Sequence, residues 1–255
     1  MADYYLPIFR KNAYLELAEL LPALLAQPKF DQLVSFAQAY RIKACGFLFA
    51  DFDPHLCLHD LSRSGRAFLF ALPKIDPKAY VVSRAEAFFD AIAANDQSCA
   101  ADLAGYLAKG DFQRNFEYEE DYLYYQFLFH FFFLKSEAAV CRGFLDRIEA
   151  VIEGAEYPRL DICTAFMDDE AEDFEDAFTL LLDEREAFYR AKREDESLTE
   201  ELLLTEGKFF VEGLALLRLA ERKGFPVQDE YLFVPSPVRR DISASFDADS
   251  WRTTL

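Results

Sequence analysis

The chain has 255 residues, of which 52% are hydrophobic and 16% aromatic, and its formal net charge is −19. That is ample material for one large core or two small ones and too apolar for general disorder. So acidic a surface repels nucleic-acid phosphates and anionic membranes, and its natural complement is a basic protein.

Glycine is scarce, at 9 residues, and β-branched residues are few beside Ala, Leu and Glu, a balance that favours helix over strand. In chain order, residues 12–25 form a first amphipathic helix with Tyr14, Leu17, Leu20, Leu21 and Leu24 on one face, a kink or a split at Pro22 and a stop at Pro28. Residues 31–49 form a second, with Leu33, Phe36, Tyr40, Ala44 and Leu48 turned inward. Asp53-Pro54 opens a third, Asp as N-cap and Pro at the first helical position, which runs to Leu72 and stops at Pro73. Residues 75–82 are a connector with Tyr80 and two valines as anchors. Ser83 caps a fourth helix to Ala94, Asn95-Asp96 turns it, and a fifth spans 97–108, ended by Gly110. An aromatic-rich sixth helix covers 117–134, with acids in its first turns where they suit the dipole. A seventh covers 137–152 and is closed by Gly154. Pro158 opens an eighth, to Met167, and Asp168-Asp169 turns it into a ninth, 170–190.

Residues 198–237 are the organising stretch. They open as one long helix, capped by Ser197 or Thr199, whose apolar residues Leu202, Leu203, Phe209, Phe210, Leu214 and Leu217 cover more than one face. Such a helix belongs at the centre of a fold. Arg218, Arg222 and Lys223 occupy its last turns, and Gly224 and Pro226 end it. The segment Tyr231-Leu232-Phe233-Val234, pinned by Pro235 and Pro237, is too apolar to hang free and should dock on the helices.

A weak internal repeat aligns Ala91, Ile92, Asn95, Ala100 and Leu103 with Ala165, Phe166, Asp169, Phe174 and Ala177: helix, short turn, helix. The expected fold is all-α, a single domain of about ten helices in stacked antiparallel hairpins over residues 1–237. Residues 238–255 form a polar tail that should fray, with Phe246 and Trp251 as docking points.

Cys45, Cys57, Cys99, Cys141 and Cys163 are odd in number, well separated and embedded in apolar patterns, as reduced core cysteines are in a cytoplasmic protein. The N-terminus lacks a signal-peptide pattern, and the most apolar run, residues 122–134, is shorter than the ~20 residues a spanning helix needs.

Acid is concentrated between Asp161 and Glu206, where seventeen acids face four bases, a net −13 of the chain's −19. Asp168, Asp169, Glu170, Glu172, Asp173, Glu175 and Asp176 fall within nine residues, and Asp183, Glu184 and Glu186 continue the patch. With Phe174, Ala177, Phe178, Leu181 and Leu182 as the buried face, these ten acids project from the hairpin tip and outer faces. As a function, this is a binding surface for a basic partner; as plain structure, it is a solvated helix start whose acids suit the dipole, worth ~0.3–1 kcal/mol each. The calcium-loop pattern and its glycine are missing.

Other chemistry is thin. His55 and His59 share a helix face, but HExxH and a second Cys/His cluster are absent, so no metal site is predicted. His130 reads as a satisfied core histidine. Glu212 reads as the surface partner of Lys208; if buried, it needs a fixed arginine. Tyr118, Tyr122, Tyr124 and Tyr125 read as core on one side and contact surface on the other. There is no P-loop, dinucleotide fingerprint, GxSxG or CxxC, hence no cofactor expectation.

The run Glu206-Gly207-Lys208-Phe209-Phe210-Val211-Glu212-Gly213-Leu214, then Gly224-Phe225-Pro226-Val227 and Glu230-Tyr231-Leu232-Phe233-Val234-Pro235, resembles the C-terminal part of the immunity protein 49 family of bacterial polymorphic toxin systems. Residues 88–107 and the segment Cys163-Thr164-Ala165-Phe166 with its Asp168-Asp169 turn fit the same family. The resemblance lies in packing residues and carries no catalytic set. It implies a non-catalytic protein that binds and neutralises a cognate toxin. The charge pattern suits a basic toxin acting in the cytosol, such as a nuclease, met by the acidic patch. Two other readings share these features: a helical adaptor for some other basic protein, and an all-helical hydrolase using carboxylates and a metal, which requires carboxylates converging in a cleft.

Overall fold

The computed structural model describes residues 4–240 and 247–253. The heavily buried α2 (Phe30–Ala50) lies between α1 (Leu6–Ala26) and α3 (Pro54–Ala71). Short links force each of these helices to run antiparallel to the next. Beyond them follow α4 (Ala87–Ala93), α5 (Gln97–Leu107), α6 (Glu119–Leu128), α7 (Ala138–Ile152), α8 (Pro158–Asp168) and α9 (Ala171–Glu194). The chain closes with α10 (Glu200–Leu204), α11 (Val211–Lys223) and α12 (Ser236–Arg239). The protein is all-α, and no strand occurs among the described residues.

Local signals explain most boundaries. The Asp53 carboxylate accepts from Leu56 N–H at 2.9 Å, and Asp96 accepts from Cys99 N–H at 3.3 Å, each capping its helix. The repeat detected in the sequence is a real structural equivalence. Asn95 and Asp169 both adopt left-handed backbone, φ 59° and 65°. The residue after each sends its N–H back to the aligned alanine, Asp96 to Ala91 at 2.8 Å and Glu170 to Ala165 at 3.0 Å. This is the six-to-one bond of a Schellman turn, and it recurs at Gly224, where Phe225 N–H returns to Ala220.

Several expectations are corrected. The first helix starts at Leu6, because Pro7 suits a first turn, and it runs unbroken through Pro22. Ser83 caps nothing: it lies in a 3-10 turn, and its N–H goes to Glu117. Glu117 precedes α6 rather than opening it; its carboxylate takes the Ser83 and Gln113 N–H groups, both at 2.9 Å. The end of the aromatic run, Phe129–Phe133, is a π-helical turn.

The supposed long helix of 198–223 is two. Thr199, not Ser197, caps α10, and the chain breaks between Leu204 and Val211. There Thr205 hydroxyl bonds back to Glu201 C=O at 2.6 Å, and the Gly207 Cα sits so close to Leu203 C=O that a Cβ would lie 2.6 Å from that oxygen. Phe210 N–H leaves the helix pattern to bond Phe233 C=O at 2.9 Å. Only α11 is central, with Gly213 to Ala220 all buried against α4. The Tyr231–Val234 segment docks as expected: Val234 is fully buried and Tyr231 stacks edge-on to Phe178.

The tail does not simply fray. Arg218, buried in α11, donates to Val238 C=O at 3.2 Å. Trp251 is 1% exposed, packs on Phe70 and Phe36, and its carbonyl accepts Tyr40 O–H at 2.8 Å. Phe246 lies outside the described residues.

Charge is also buried in this core. Arg41 meets Asp90 at 2.6 Å, with Ser64 donating to the same carboxylate. Lys43 and Arg63 share Asp60 at 3.1 and 2.9 Å, and Arg66 takes Asp96 through two bonds of 2.7 and 3.0 Å. These pairs tie α2, α3, α4 and the start of α5 into one register.

Candidate partner-binding surface

The α8–α9 hairpin presents the acidic stretch. Phe174, Ala177, Phe178, Leu181 and Leu182 recur at helical spacing and are buried, so α9 is anchored by one face. All ten predicted acids lie off that face, and all but the half-buried Glu175 are exposed.

They divide into two groups. Asp168 is held by Arg142, Asp169 by Lys223 at 2.6 Å, and Glu175 accepts from Tyr231 O–H at 2.7 Å and Gln228 amide at 2.6 Å. These three are structural: they fasten α8–α9 to α7, α11 and the docked C-terminal segment. The side chains of Glu170, Glu172, Asp173, Asp176, Asp183, Glu184 and Glu186 accept no hydrogen bond among the described residues. They fan along the helix. A shallow groove of about 290 Å³ between α8 and α9 is edged by Asp161, Asp168, Asp173 and Asp176 beside the half-exposed Leu180. Burial pushes the Asp161 carboxyl up. Among the described residues, no group of three or more His, Cys, Asp or Glu side chains is placed to hold a metal ion.

Behind the C-terminal half of α9 lies a larger cleft of about 470 Å³ that sequence reasoning did not find. Its floor is charged. Glu212 is mostly buried and takes Arg159 through two bonds of 2.7 and 2.8 Å, with Tyr124 O–H donating at 3.0 Å. The arginine that a buried Glu212 requires is thus Arg159 from α8; Lys208 is not its partner. Burial pushes the Glu212 carboxyl up, but Arg159 and these hydrogen bonds outweigh it and hold the group below the usual range. Arg41 enters from α2, bridging Asp90 and Glu86. Arg185 from α9 donates to the carbonyls of Glu206 and Phe209 and stacks on Phe210 at 4.2 Å, closing the break before α11. Burial pulls the Arg185 guanidinium down. Only Glu212 hinted at this cleft in the sequence; its other residues come from distant elements with no shared local pattern.

The remaining candidates are ordinary. His55 is exposed and His59 half-buried. His130 Nδ1 lies 2.7 Å from Ser136 Oγ, its ring tilted on Phe144. Tyr124 and Tyr125 are core, whereas Tyr118 is 74% exposed. All five cysteines are free and buried. Among the described residues, no helix is long and apolar enough to cross a membrane.

Comparison with curated proteins and with solved structures finds no match. The immunity protein 49 family matches residues 59–237, from within α3 into α12, well over half of the chain and all ten acids of the predicted surface. The chain therefore belongs to the immunity protein 49 family.

Proposed function

We propose that this immunity protein binds and neutralises a cognate toxin, without catalysis of its own, through the acidic face of the α8–α9 hairpin. The observation that carries this reading is the set of outward carboxylates on α9 with no intramolecular partner, on a helix whose opposite face is locked in the core. A row of unpaired like charges gains nothing for folding beyond small dipole terms, whereas it steers a basic partner. The partner is therefore a basic toxin domain, a cytosol-acting nuclease being the class whose phosphate-binding face best complements the row, and the immunity protein works in the cytoplasm beside it.

The test is charge reversal restricted to acids with no internal contact: Glu170, Glu172, Asp173 and Asp176, each changed to Lys. Binding to the toxin encoded beside the immunity gene is measured at low and high salt. A slower association rate and a flatter salt dependence are expected. Unchanged affinity and unchanged salt dependence remove this surface from the mechanism. Reversal of Asp168, Asp169 or Glu175 would confound the result, since each also fastens the hairpin.

A further inference from the structure

Exposed ion pairs are individually weak, and interfaces draw affinity from a few side chains inserted into desolvated pockets. The row on α9 supplies steering; an anchor must lie elsewhere. The cleft behind the same helix is larger than the groove between α8 and α9, and its chemistry decides what it can accept.

Three cations line it, Arg41, Arg159 and Arg185, against four carboxylates, Glu86, Glu184, Glu206 and Glu212, with Asp90 buried behind Arg41. Each cation already has partners in the fold. Arg41 is shared by Asp90 and Glu86, Arg159 is taken bidentately by Glu212, and Arg185 is spent on two backbone carbonyls and the Phe210 face. Two carboxylates are left over. Glu206 accepts only from the Gln38 amide at 3.4 Å, and Glu184 accepts nothing among the described residues. Phe188, half exposed, and Tyr189 stand beside them. An anion entering here would meet the surplus carboxylates, and the guanidinium nitrogen of Arg185 that lacks a partner, Nε, is buried out of its reach. A cation would meet two unpaired carboxylates and aromatic walls, the pairing that favours a planar guanidinium.

We propose that this cleft receives an arginine side chain of the bound partner, its guanidinium held by Glu184 and Glu206 beside Phe188. The proposal deepens the toxin-binding reading and rests on it for the identity of the partner, though not for the chemistry of the pocket. Burial raises the Glu184 carboxyl even with Arg159 nearby, consistent with a carboxylate that still lacks a cation. The cleft is continuous with the acidic row, since Asp183 and Glu186 flank Glu184 on the same helix.

The probe is Nα-acetyl-L-arginine amide titrated into the full chain, followed by NMR on isotope-labelled Phe and Tyr rings, with the citrulline and glutamate analogues as neutral and anionic controls. Saturable shifts at Phe188 and Tyr189 are expected with arginine alone. In the Glu184→Gln/Glu206→Gln double variant binding should weaken about tenfold or more, the scale of one lost charge-assisted contact. Should that variant unfold, Phe188→Ala, at an exposed position, should weaken binding instead. The charge-reversed Glu172→Lys/Asp173→Lys protein should bind the probe as wild type does. No saturable shift, equal binding of citrulline, or preference for glutamate overturns the proposal. The titration uses no toxin, so its failure is separable from failure of the immunity reading, which co-expression with the toxin tests.

Discussion

The Glu212–Arg159 pair is the most consequential single interaction that the structure adds, and its removal has a calculable effect. Glu212→Gln preserves shape but leaves the Arg159 guanidinium without a counter-charge. Breaking a buried pair costs about 3–5 kcal/mol. The Arg159 side chain retains 27% of its exposure and Glu212 15%, so water screens part of the stranded charge and the lower end applies, about 3 kcal/mol. For a chain of this length that lowers Tm by roughly 6–12 °C. Replacing both partners, Arg159→Met with Glu212→Leu, removes the charge and its cost together and should recover most of the loss, apart from the acceptor that Tyr124 O–H then lacks. Urea unfolding followed by far-ultraviolet circular dichroism measures the wild type, Glu212→Gln and the Arg159→Met/Glu212→Leu variant. A Glu212→Gln cost below about 1 kcal/mol, with no recovery in the double variant, would refute the claim that this pair joins α8 to α11.

The same pair sets an acid dependence. Because the folded Glu212 pKa lies below its unfolded value of about 4.3, the pair's contribution is complete above that pH and is lost as pH falls through the folded value. The stability gap between wild type and Glu212→Gln should therefore be constant near neutrality and close as the solution is acidified; a gap that widens instead contradicts the sign. Trp251→Ala should cost about 3–5 kcal/mol, read by urea unfolding, because the ring is fully packed on Phe36 and Phe70; a change typical of an exposed residue would mean the tail is not docked. Asn95→Val should cost about 1–2 kcal/mol, because a β-branched residue is strained at φ 59°, whereas Asn95→Gly should be near neutral in the same assay.

How much of this was legible beforehand depends on the range of the forces involved. Helix positions, the Asp53 and Asp96 caps and the buried face of α9 follow from contacts within a few residues, so periodicity and capping chemistry reveal them. The Asn95 and Asp169 turns were visible as a repeat because each turn is a local device with local requirements. The break before α11 was not visible: the apolar pattern runs through it, and the interruption is imposed by Arg185, Phe233 and the close backbone approach at Gly207. The surface acids could be assigned to outer faces from the sequence, but their division into fastening and free groups required knowing where Arg142, Lys223 and Tyr231 arrive. The cleft belongs wholly to tertiary structure. Arg41, Glu86, Arg159, Glu184, Glu206 and Glu212 meet only because helices far apart in the chain pack side by side. Sequence alone determined an acidic all-helical protein with one heavily charged hairpin, since composition and short-range pattern suffice for that. Which charges are spent on the fold, and which are left for a partner, was decided by packing, because ion pairs between distant helices form only where the apolar core brings them together.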